Sequence, residues 1–209
     1  INGIFGRVTG DAGSRFVIAI GQAIFLVLFL ILYGDCIAAR QRIGAVYFFS
    51  RISNRKKWIL KEFVWLLFYS VLYTFCFVGM HMIFSIWGSS EADLSGTLFK
   101  VAFQIGLFLT LLLFEMAVLC NLFCAAGGSA IGILLSMLCV IGLIMWSTAE
   151  VDGMVSEMIN PMWLSADIIE NGGSYIQKII IVFLQTAICA VGTGYYLAKR
   201  DLFAREGEG

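Results

Sequence analysis

The chain has 209 residues, 60% hydrophobic and 13% charged, with 14 basic and 14 acidic side chains and a mean hydropathy of +0.92. A soluble domain carries about 25% charged residues, and several apolar stretches here exceed the roughly 18 residues that mark a membrane-spanning helix. These figures exclude a soluble globular domain, and the zero net charge gives no basic footprint for a nucleic-acid partner.

In chain order, residues 1–15 are Gly-rich and polar and read as a loop. A first span is predicted over 16–33, followed by a basic connector, 34–58, whose first residues, Cys36 to Ala39, continue the span as a helix. The second span, 59–87, is long enough to tilt or to begin in the headgroup layer beside Trp58, Lys61 and Glu62. A short acidic loop at 88–96 leads to the third span, 97–122. A tight connector at 123–128 precedes the fourth span, 129–147. A polar insert at 148–175 reads as two short amphipathic helices bent at Asn160-Pro161, with Trp163 as an interfacial anchor. The last span is 176–198, closed by Lys199, Arg200 and Arg205. The predicted fold class is therefore an all-α polytopic transmembrane helical bundle forming a single domain, with five spans visible.

The connector fixes the orientation. Together with Lys61 it holds Arg40, Arg42, Arg51, Arg55, Lys56 and Lys57, half of all Lys and Arg in the chain. Basic segments stay on the cytoplasmic side, so the connector and the tail after Ala198 face the cytoplasm. The loop at 88–96 and the insert at 148–175 carry acids and no Lys or Arg, and face outward. Residues 1–15 then lie outside, against the mild exception of Arg7 and Arg15. The chain starts with Ile and shows no signal peptide, so a further span preceding Ile1 is expected, for six in the native protein. The localisation expected is multi-pass in a cell membrane, here a bacterial cytoplasmic membrane.

Several chemistries find no residues to carry them. No GxxxxGK[ST] phosphate loop occurs, so ATP binding in that mode is excluded for this chain. The lone histidine, His81, rules out a multi-His metal site. Gly128-Ser129-Ala130 echoes part of a serine-nucleophile elbow without its GxSxG frame or a base. The six cysteines have no redox or zinc spacing and read as small buried apolar residues. No catalytic residue is expected, and the chain is not an enzyme by itself.

Glu115 is the acid inside a span away from its ends, so it should face the bundle interior or a wet cavity, as a pathway group or as an interhelical hydrogen-bond partner. Gln104, His81, Asn121 and Gln185 read as weaker versions of the same, with interhelical bonding the plainer role. Small residues four apart, Ala126/Ala130, Gly128/Gly132 and Ala190/Gly194, suit close helix packing, with a dimer seam as the other use. In the connector, Val46, Tyr47, Phe48 and Phe49 form an apolar tip outside any span, which wants a protein surface to bury against. Ser53-Asn54 is a helix-cap pair ahead of Arg55.

Arg42-x-Gly44, Phe48-Phe49, Ser53-Asn54-Arg55 and Lys61 together resemble the first cytoplasmic loop of ABC-2 type permeases, the membrane subunits of ATP-driven exporters. The Asn160-Pro161 insert and the Lys199-Arg200-Asp201 close are similar to that family too. The chain departs from its pattern where Ile52 replaces a turn proline and Arg42 replaces an acid. The resemblance covers the whole chain, as family spans two to six. It implies an ATPase-coupling loop formed by Val46, Tyr47, Phe48, Phe49, Arg51, Ser53, Asn54 and Arg55, docked on a separate ABC ATP-binding subunit that holds the ATP and Mg. It also implies a second permease copy, as a homodimer or with a close paralogue, around the pathway. The small Phe-rich form is similar to permeases that export amphipathic peptides, such as bacteriocin-immunity systems and the phenol-soluble modulin exporter. A membrane sensor or immunity subunit that does not transport is the alternative, and an intramembrane enzyme the third.

Overall fold

The computed structural model describes residues 12–44, 55–88, 96–148 and 175–199. Every element among them is an α-helix: α1 (Ala12–Tyr33), α2 (Cys36–Gly44), α3 (Arg55–Gly88), α4 (Gly96–Gly127), α5 (Ser129–Thr148) and α6 (Tyr175–Lys199). Five stretches are long and apolar enough to cross a membrane: Ile20–Arg42, Arg55–Ile83, Ala102–Gly127, Ser129–Trp146 and Tyr175–Lys199. Helices suit this sequence because hydrocarbon offers no hydrogen bonds, so each span must pair its own backbone groups.

The core is built around α4. Its apolar stretch is 72% buried, against 17% in α3 and in α6, and it packs on every other described helix. Phe108, Leu109, Leu112, Leu113, Ala117 and Val118 fill the centre, met by Phe25, Leu26, Phe29 and Leu30 of α1. Large apolar side chains also cover the outside: Phe75 is 75% exposed, Val191 73% and Phe103 72%. Water would not tolerate that surface over a whole bundle, whereas lipid tails are its natural solvent. The buried hydroxyls of Ser70, Thr110, Ser136 and Thr186 each donate to the carbonyl one turn earlier, at 2.8–3.0 Å. That satisfies them without any partner helix.

The boundaries differ from the sequence reading at four places, the first being α1, which begins at Ala12 inside the expected loop of residues 1–15. Residues 36–44 are helical and packed into the bundle, with Ile37, Ala38 and Gln41 buried, so the first span extends well into the expected connector. The helix of the second span begins at Arg55, and α4 runs through 123–127 to Gly127. The turn into α5 is a single residue, Gly128, whose φ of 94° lies where a side chain would be strained. The expected loop at 88–96, apart from Gly88 and Gly96 at the ends of α3 and α4, and the insert between Thr148 and Tyr175 lie outside the described residues. Cys120 and Cys124 are buried as expected, but Cys76 and Cys139 are exposed on the apolar exterior. A thiol there is a small hydrophobe against lipid, so burial in protein was not required.

The small residues act in different ways. Gly132 seats on the α4 backbone at Cys124, where an added Cβ would lie 2.3 Å from its nitrogen and 2.4 Å from its Cα. Gly194 sits 3.3 Å, by the same measure, from the Phe63 ring. Ala126 and Ala130 are exposed. Gly132→Val should therefore force α4 and α5 apart and cost about 1–3 kcal/mol, the usual penalty of overpacking. Gly142→Ala, where nothing lies within 4 Å, should be neutral. Thermal unfolding of the two variants in one detergent checks the contrast.

Candidate functional site

The polar side chains that the fold gathers lie at one end of the bundle, where α1 gives way to α2, α3 begins, α4 turns into α5 and α6 ends. The basic residues Arg40, Arg42, Arg55, Lys56, Lys57, Lys61 and Lys199 are on these helix ends.

The junction starts with a break. The helix of the first span is interrupted at Gly34-Asp35 and restarts at Cys36. Gly34 is required by proximity, since a Cβ there would lie 2.8 Å from the Cys120 sulfur. A restarted helix exposes first-turn N–H groups that need acceptors. The side chain of Asn121, from α4, supplies one: its Oδ1 accepts from Ile37 N at 2.9 Å and from Ala38 N at 3.1 Å. Its Nδ2 donates to the Ala117 carbonyl at 2.8 Å, which fixes the amide's orientation. Asn121 is fully buried, so this is a helix cap delivered from a neighbouring helix.

The preceding residue, Asp35, has the side chain expected of a local cap, yet its Oδ2 accepts from Ser129 Oγ at 2.8 Å. Arg42 Nη2 donates to the same Ser129 oxygen. Asp35, Ser129 and Arg42 thus tie the α1–α2 break and the end of α2 to the first residue of α5. Ser129 Oγ therefore donates to a carboxylate and accepts from a guanidinium, and the hydroxyl serves as a bridge between the two charged side chains. A third tie runs sideways: Arg40 Nη1 bonds Glu62 Oε2 of α3 at 2.5 Å, with the glutamate side chain 8% exposed and the arginine 47%.

Of the candidate pathway residues, Glu115 is buried on α4 and faces α6. Thr186 Oγ1 lies 3.4 Å from its Oε2 and Cys189 Sγ 3.7 Å from its Oε1. Gln104 lies three turns away on the same side of α4, with its backbone carbonyl accepting from Tyr175 OH at 3.4 Å. His81 lies on α3, its ring 4.5 Å from Phe77, which packs on Phe25 of α1. The three are not brought together, and no group of three His, Cys, Asp or Glu able to hold a metal occurs among the described residues. Val46, Tyr47, Phe48, Phe49, Arg51, Ser53 and Asn54 of the expected coupling loop lie outside the described residues, and Arg55 is the first residue of α3.

Sequence reasoning had given Asn121 an interhelical role without a partner, and had not brought Asp35, Arg40, Glu62 and Ser129 together. A Gly-Asp pair after an apolar run signals a break. The partners at separations of 83 to 94 residues leave no signal in one sequence. No family model, no curated protein and no solved structure matches this chain.

Two consequences are measurable. Asn121→Leu leaves two buried N–H groups unpaired and should cost about 2–6 kcal/mol at roughly 1–3 kcal/mol per orphaned group; Asn121→Asp, which keeps an acceptor, should recover much of it. Chemical denaturation of the purified variants reads both. For the ion pair, Arg40→Gln strands a buried carboxylate, whereas Glu62→Gln leaves a half-exposed arginine that can reach water. Arg40→Gln should therefore be the more destabilising, by about 3 kcal/mol or more against a smaller loss for Glu62→Gln, in the same assay.

Proposed function

We infer that this chain is the membrane subunit of an ATP-driven exporter, in which a separate ABC ATP-binding subunit docks on the segment between α2 and α3. The observation that supports the reading is how the helix leading into that segment is held. α2 is capped by α4 through Asn121, tied to α5 through Asp35, Ser129 and Arg42, and tied to α3 through Arg40 and Glu62. A force applied to residues 45–54 would therefore reach three helices of the bundle directly. A subunit driven by ATP closure in a partner needs such a link, whereas a passive topological loop needs only its charge.

The sequence of the segment fits the role. Val46, Tyr47, Phe48 and Phe49 give an apolar tip to insert into a partner's groove, and Arg51, Ser53, Asn54 and Arg55 give it a polar, basic flank. On this reading the basic end is cytoplasmic, the membrane is the bacterial cytoplasmic one, and ATP and Mg belong to the partner. A second copy or close paralogue completes the pathway. The cargo is an amphipathic peptide or small hydrophobic compound, released along a route with few charged groups; Glu115, turned toward α6, is the buried acid available to it.

The test is to tag the full-length protein, extract it gently from its native membrane, and identify what co-purifies. An ATP-binding subunit in near-stoichiometric amount is expected, with at least a tenfold loss on Phe48→Asp/Phe49→Asp while membrane insertion is unchanged. A preparation free of any nucleotide-binding protein, or one indifferent to charging the tip, would turn the assignment toward a sensor or immunity subunit that does not transport.

A further inference from the structure

Beyond the polar junction, the basic end carries an open apolar groove, between the start of α3 and the end of α6, of about 340 Å³. Ile59 and Phe63 form one wall, and the small residues Ala190, Gly194 and Ala198, four apart on α6, form the floor. Phe63 closes the groove where it meets Gly194. Its outer lips are Leu60, Val191 and Tyr195, which are 64%, 73% and 60% exposed and face where lipid would be.

The mouth has a different character. Lys56 lines it from the first turn of α3. Lys199, the last residue of α6, places its Nζ 4.5 Å from the centre of the Tyr195 ring, a cation–π contact that holds the ammonium over the lip. Both lysines are exposed, and neither has an acidic partner among the described residues. From Lys56 to Phe63 the groove descends about 10 Å along the helix, at 1.5 Å per residue. Two cations at headgroup level above a hollow of that depth match an anionic phospholipid, with its phosphate at the lysines and the upper part of one acyl chain against Ile59 and Gly194. Basic recesses between transmembrane helices are a known mode of anionic-lipid recognition.

We propose that the α3–α6 groove is a binding site for one anionic phospholipid of the surrounding membrane. The site stands whether or not the protein is an exporter subunit, because it uses none of residues 45–54 and no partner. A second copy of the chain is the competing occupant, but a two-fold contact through this groove would set the same Lys56 and Lys199 of both copies on one seam, whereas the lipid phosphate brings them an opposite charge.

The experiment reconstitutes the full-length protein in vesicles of equal phosphatidylglycerol and phosphatidylcholine, extracts it gently, and counts retained lipids by native mass spectrometry. Wild type should retain phosphatidylglycerol in preference to phosphatidylcholine. Lys56→Gln and Lys199→Gln should each weaken that retention about fivefold, the factor matching roughly 1 kcal/mol per basic side chain near an anionic surface, with phosphatidylcholine unchanged. Both lysines are at the surface, so these variants test the site without disturbing the core. Ala198→Leu, which fills the floor, should lower retention with both lysines in place. Equal retention of the two lipids would overturn the proposal, as would a phosphatidylglycerol preference that survives the double lysine variant. A dimer mass lost on Ala198→Leu with lipid retention unchanged would assign the groove to a second copy instead.

Discussion

Where the first span breaks at Gly34-Asp35, two backbone N–H groups must find acceptors at a point with no water to help, and a single amide on another helix provides them. Much of the basic end follows from that contact. Asn121 can reach Ile37 and Ala38 only if α2 lies close to α4, and at Gly34 a side chain is excluded by the Leu30 carbonyl of α1 and by the Cys120 sulfur of α4 together. Once α2 is held there, Arg40 is carried to Glu62 and Arg42 to Ser129. Asp35, relieved of capping its own helix, is left to receive Ser129. The polar junction is thus one connected arrangement, because each bond depends on the position that the cap sets.

Elsewhere the bundle has to be held together without a hydrophobic driving force between helices, since lipid is as apolar as the core. Close approach does the work instead. α5 lies against α4 because Gly132 allows contact with the Cys124 backbone, and Gly128 permits the one-residue reversal that sets the two side by side. Aromatic rings do the equivalent between α1 and α3, where Phe25 meets Phe77 at 4.3 Å and Tyr33 stacks on Tyr69 at 4.9 Å. Tyr73 adds a hydrogen bond from its hydroxyl to the Phe25 carbonyl at 3.1 Å. Both solutions rely on contact area and fixed geometry, and neither needs water to be excluded.

The number and rough position of the spans were legible in the sequence, because hydropathy reports the solvent directly. The ends were not. Arg40, Gln41 and Arg42 look like connector residues in a hydropathy profile, yet Gln41 is buried and the two arginines reach outward to Glu62 and Ser129. Gly127-Gly128 looks like a loop, yet only Gly128 leaves the helix. In each case local composition argued for a turn, and packing against α4 or α5 decided otherwise. Glu115 was legible as an inward-facing acid, while its neighbours Thr186 and Cys189, more than 70 residues away, could come only from the fold.

The charge at the basic end has a further physical consequence. Helices α2, α4 and α6 end there and present their negative dipole ends; Arg42 and Lys199 in the last turns of α2 and α6 suit that field, while the last turn of α4 holds no cation. Helices that start there, α3 and α5, present positive ends. At α5 the conflict is resolved, because Asp35 brings a carboxylate to its first residue. At α3 it is not resolved in the same way: the first turn holds Arg55, Lys56 and Lys57 and no acid. Each such charge opposes the dipole by about 0.3–1 kcal/mol. An antiparallel bundle with one basic face must meet this problem at every second helix, and a chain selected for stability alone would place an acid there as it does at α5. Within that turn Lys56 lines the mouth of the α3–α6 groove beside Lys199, so the lipid phosphate proposed there would offset the dipole as Asp35 does at α5.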